Sequence, residues 1–98
     1  MVDISAIKTV CYDMVSSFEH ELWVMNENSS SYDMTDARYE LFSTGSHLQS
    51  IIEFWVEHCN CKGLNSEASE LIEFRDQCFQ QIIIYYKMFS KNLSDKVL

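Results

Sequence analysis

The residue types best suited to chemistry lie at His58-Cys59-Asn60-Cys61, where an imidazole and two thiols fall within four positions. Such a set could supply soft ligands to a zinc ion, or thiols for redox exchange. Structural zinc, however, usually draws on two ligand groups separated along the chain, and no second group follows. Cys11 and Cys78 stand alone, each on an apolar stripe where cysteine behaves as a small hydrophobe. His20 and His47 have no carboxylate at a recognised metal spacing. Cys-x-Cys also departs from the two-residue spacing of dithiol redox motifs, and acidic neighbours disfavour a reactive thiolate. The expectation is no metal and no cofactor. A metal- or thiol-dependent sensor using His58, Cys59 and Cys61 is kept as a secondary alternative.

Catalytic patterns are equally scarce. The pairs Glu53/Glu57 and Glu70/Glu73 would share helix faces, but this spacing is common on acidic helices and implies no general acid–base work by itself. There is no glycine-rich phosphate loop, no Gly-x-Ser-x-Gly and no His-Glu-x-x-His. The chain does not read as an enzyme.

Charge is the more informative feature. The 98 residues carry 7 basic and 15 acidic side chains, a formal charge of −8, which argues against binding nucleic acid through phosphate neutralisation. Glu19, Glu21, Glu27, Asp33, Asp36 and Glu40 gather around the first interhelical connection, with Trp23, Tyr32 and Tyr39 interleaved and Arg38 as the lone cation. Aromatics can anchor a protein interface while carboxylates steer and select a cationic partner. The expected partner-binding set is Glu19, Glu21, Trp23, Glu27, Asp33, Asp36, Tyr39 and Glu40. The competing reading is a solvated helix end, its acids partly neutralised by Lys87, Lys91 and Lys96. A second acidic group, Glu53, Glu57, Glu67, Glu70, Glu73 and Asp76, could imitate nucleic-acid phosphates only if its members shared one face.

Three helices must position these groups. Ile4, Ile7, Cys11, Met14, Phe18, Leu22 and Met25 recur in steps of three or four behind a capping Asp3. The polar run 26–31 closes this first helix. A second opens near Asp33 or Thr35 and carries Ala37, Leu41, Leu48, Ile52, Trp55 and Cys59 on one face, with Thr44 or Gly45 at the missing step. Ser43-Thr44-Gly45-Ser46 could split it, giving four helices. The apolar phase survives across it, so one helix with an interior glycine is expected, at a cost of about 1 kcal/mol. Lys62-Gly63 is a stop signal. Asn65 or Ser66 then caps a third helix with Leu71, Phe74, Cys78, Ile82, Tyr85 and Phe89 as its stripe.

With 47% hydrophobic residues, no proline and only two glycines, a single all-α domain over 1–98 is expected, an antiparallel bundle of three long helices. Hydrophobic residues exceed what one stripe per helix needs: Ile83, Ile84, Tyr86 and Met88 lie off the third stripe and make the expected homodimer interface. The first residues, Met1-Val2-Asp3-Ile4-Ser5, have neither a basic region nor an apolar run, so cytoplasmic residence with reduced thiols is expected. The functional expectation is a small acidic inhibitor docking on a basic surface of another protein. Immunity proteins, antitoxins and phage-encoded inhibitors of bacterial nucleases or CRISPR complexes are the classes that fit. A structural or regulatory homodimer without inhibitory role is the alternative.

Overall fold

The computed structural model describes residues 2–28 and 33–97, with side chains through residue 92. Three helices follow in order: α1 (Ile4–Glu27), α2 (Met34–Cys61) and α3 (Asn65–Val97), with no strand among the described residues. The expected all-α three-helix bundle is what forms, and α2 runs unbroken through Gly45.

Local chemistry sets the helix ends. Asp3 Oδ1 accepts the Ala6 amide at 3.0 Å, satisfying one orphan donor of α1. At α2, Asp33 Oδ1 accepts from the amides of Thr35 and Asp36, and Asp36 Oδ2 accepts from the Asp33 amide at 2.9 Å. This reciprocal box fixes where α2 begins. At its far end the Leu64 amide donates to the Cys59 carbonyl at 2.8 Å and the Gly63 amide to that of Asn60 at 3.2 Å, the two bonds of a Schellman motif. Gly63 supplies the left-handed residue, at φ +72°. The cap position of α3 falls on Leu64, not on Asn65 or Ser66, because the turn leads straight into the helix and the Ala68 amide bonds the Leu64 carbonyl.

Packing fixes the directions. Lys8 Nζ lies 3.0 Å from a Glu70 carboxylate oxygen, and the Tyr12 ring meets Phe74 edge-on at 5.0 Å. Trp23 shares a groove with Met88 and Phe89. Positions in α1 and α3 thus rise together, so these two helices are parallel, and α2 runs antiparallel to both. The core is a single column: Ile7, Cys11, Val15, Phe18, Leu22 and Met25 from α1 meet Leu48, Ile52 and Cys59 from α2 and Leu71, Phe74, Cys78, Ile82 and Phe89 from α3. Thr44 occupies the missing step on α2. The body measures 54 × 18 × 16 Å. Its radius of gyration, 15.9 Å, exceeds the roughly 12.6 Å of a rounded domain this long.

Gly45 sits in mid-helix without positive φ, and a Cβ added there would meet only Ile82 Cδ1, at 3.9 Å. No close backbone approach within the fold requires the glycine.

Candidate protein-docking surface

The carboxylates expected to act together are divided by the helix geometry. Glu19 and Trp23 border a groove between α1 and α3, with His20, Tyr85, Met88 and Phe89 along it. Glu21 lies on the other side of α1, sharing the α1/α2 groove with Glu40, Asp13 and His47. Residues two apart on a helix point about 200° from each other, so Glu19 and Glu21 cannot face the same way. Glu27 ends α1, exposed to solvent. Asp33 and Asp36 are also exposed, but their oxygens are engaged in the α2 cap. Tyr39 is 71% exposed, two positions beyond the fully buried Ala37 and therefore turned away from the core. Tyr32 lies outside the described residues. All of the described members sit toward one pole, where α1 ends and α2 begins, but they ring it.

The most coherent part of this pole is the outward strip of α1. Trp23 is 59% exposed and its indole stacks on the His20 imidazole at 6.1 Å. Glu19 stands one turn before it and Glu27 one turn after. The residues at steps of three and four (Ser16, Glu19, His20, Trp23, Glu27) are all exposed. Alongside runs an apolar floor of Leu22, Tyr85 and Phe89, with the exposed Met88 at its edge. Among the described residues the two ion pairs are Lys8–Glu70 and Arg75–Asp76, so neither Lys87 nor Lys91 is bound to a carboxylate of this pole. Lys96 has its side chain outside the described set.

The second acidic group is dispersed. Glu70 pairs with Lys8, which also lies over the Phe74 ring at 5.4 Å from its centre. Glu67 joins Glu70 near the start of α1, whereas Asp76 pairs with Arg75 and Glu53 accepts from Gln49 at 3.4 Å on another side of the molecule. They do not form one row of phosphate-like charges.

The thiol and imidazole set is likewise separated. Cys59 is buried in the core, Cys61 is exposed, and His58 stands outside against the Trp55 ring at 5.6 Å. No cluster of three potential metal-ligating side chains occurs among the described residues. Burial pushes the Cys78 thiol up to about 11, with Cys11 close enough for its own charge to add to the effect; burial raises Cys11 as well.

The expected dimer residues also part company. Ile83 faces the α2/α3 groove, Met88 borders the α1/α3 groove, Ile84 is exposed, and Tyr86 is half-buried against the core. Sequence periodicity overlooked Phe42, which like Phe54 is largely exposed. Its signal was present as an apolar residue off the α2 stripe. No helix among the described residues is long and apolar enough to cross a membrane. No family model, curated protein or solved structure matches this chain.

Proposed function

We propose that this chain is a small acidic protein-binding inhibitor, docking on a basic surface of another protein through the outward strip of α1. The classes that suit such a surface are immunity proteins, antitoxins and phage-encoded inhibitors of nucleases or CRISPR complexes. The observation carrying the reading is Trp23: a large aromatic left mostly in water, stacked on His20 and bracketed by Glu19 and Glu27. Holding an indole in water forgoes burial worth about 2 kcal/mol or more, which a partner would recover. The flanking carboxylates lack cationic partners among the described residues and would favour a basic counterpart. The dispersed second acidic group gives phosphate mimicry no support.

The test is affinity capture from the source cells with the wild-type chain, Trp23→Ala and Glu19→Lys/Glu27→Lys, at low and high salt. One protein with a basic surface should be retained by the wild type, weakened by salt and lost with either variant, while circular dichroism stays unchanged. Capture unaffected by both variants would remove this strip as the docking site.

A further inference from the structure

The opposite side of α3 carries a second uncovered surface. In the groove between α2 and α3, Phe42 is 70% exposed and Ile83 44% exposed, with Gly45 and Phe79 between them. On α2, Arg38, Phe42, Gly45, Gln49 and Glu53 advance in steps of three or four and follow one face. On α3 the neighbouring row is Lys87, Ile83, Phe79 and Asp76. Because the helices are antiparallel and Gly45 lies opposite Ile82, Arg38 and Lys87 come to one end of this face, Glu53 and Asp76 to the other. At ~1.5 Å per residue, about 22 Å separates Arg38 from Glu53 along α2 and about 16 Å separates Lys87 from Asp76 along α3. The middle is apolar.

We propose that this face binds a second copy of the chain in an isologous dimer, with the two-fold axis crossing the helices at Gly45 and Ile82. Two copies can meet face to face about an axis along the helices or across them. The first lays α2 of each copy over α3 of the other, sets Arg38 against Lys87 at one end and Glu53 against Asp76 at the other, and is repelled. The second lays Arg38 over the partner's Glu53 and Lys87 over the partner's Asp76, each copy contributing both signs. The midpoint between positions 38 and 53 falls at 45–46, and that between 76 and 87 at 81–82. These coincide with the observed register of Gly45 against Ile82.

Two further features agree. Asp76 is engaged by Arg75 and Glu53 by Gln49, but both contacts are exposed and weak, leaving each carboxylate able to accept a second cation. Gly45 has no role inside the monomer, where a Cβ would fit. At the axis, its missing side chain lets the two α2 backbones approach closely. Of the four residues the sequence pointed to, only Ile83 belongs to this interface. The face is distinct from the Trp23 strip, so a dimer leaves both docking strips uncovered.

Sedimentation velocity decides the matter. The wild type should shift from 11.5 kDa toward twice that mass as concentration rises from about 1 to about 200 µM. Arg38→Glu, and separately Gly45→Gln, should each raise the dissociation constant at least about tenfold with helical content unchanged. The double reversal Arg38→Glu/Glu53→Arg should restore association, since these positions are too far apart to pair within one chain. A particle of 11.5 kDa throughout leaves the face to some other occupant and overturns the proposal. So does a dimer that ignores Arg38→Glu and Gly45→Gln but dissociates with Met88→Ser, and so does a double reversal that fails to restore it.

Discussion

Gly45 and Ile82 face each other with room between them: a Cβ built on the glycine stops 3.9 Å from the Ile82 Cδ1 atom, ordinary van der Waals contact. The glycine therefore weakens α2 without relieving any crowding. Gly45→Ala should raise monomer stability by about 0.5–1 kcal/mol, read as a higher urea midpoint at low micromolar concentration. An unchanged or lower midpoint would mean that the backbone there is less regular than described.

Gly63 is the opposite case. Nothing lies within 4 Å of a Cβ there, yet its φ of +72° is one that side-chain-bearing residues rarely adopt. Gly63→Ala should cost about 1 kcal/mol through backbone strain alone, and Gly63→Asn less, because asparagine tolerates that region better. Thermal melts of the two variants distinguish strain from steric clash.

Asp33 should matter to folding more than to docking. Removing its side chain with Asp33→Ala leaves the Thr35 and Asp36 amides without their acceptor, at a cost of about 1 kcal/mol, while Asp33→Asn should retain most of the cap. A docking defect in Asp33→Ala that exceeds its loss of stability would return this residue to the binding surface.

Thiol reactivity should follow burial. Cys61 is exposed while Cys11, Cys59 and Cys78 are buried, so a thiol reagent should modify one cysteine in the native protein and all four after denaturation. Rapid native modification of a second thiol would show that the core opens.

Alkaline pH should act through Cys78. Its folded-state pKa, about 11, exceeds the ordinary 9.0, so the folded protein holds this proton more tightly than the unfolded chain does. The stabilising effect is fully present below pH 9 and is lost as pH rises through 11, on the order of 2 kcal/mol in all. Urea midpoints at pH 8 and pH 10.5 should differ more for the wild type than for Cys78→Ala. Equal differences would show that other groups dominate the alkaline loss.

Helix identity was legible because apolar residues from Ile7 to Phe89 recur at helical spacing and Asp3, Asp33 and Gly63 punctuate it. Val15 was missed since Met14 also fits a helical step from Cys11; the two point about 100° apart, and which of them is buried and which half-exposed depends on neighbouring helices. The scattering of the acidic set was partly readable. Glu19 and Glu21, two positions apart, must diverge on any helix. What spacing could not say is which helix each side would face, and so that Trp23 would border α3 and Glu40 would meet Glu21. The double use of Asp36 as cap and charge, likewise, emerges only once Asp33 is placed.

The parallel course of α1 and α3 has an electrostatic consequence. Peptide dipoles in an even, alternating bundle cancel in pairs, but two helices up against one down leave the equivalent of one macrodipole uncompensated. Its negative terminus coincides with the end of α1, where Glu27 stands and Trp23 lies one turn earlier. The backbone itself thus biases that tip toward cations before any side chain is counted, with Lys87 and Lys91 on α3 tempering the field from one flank only.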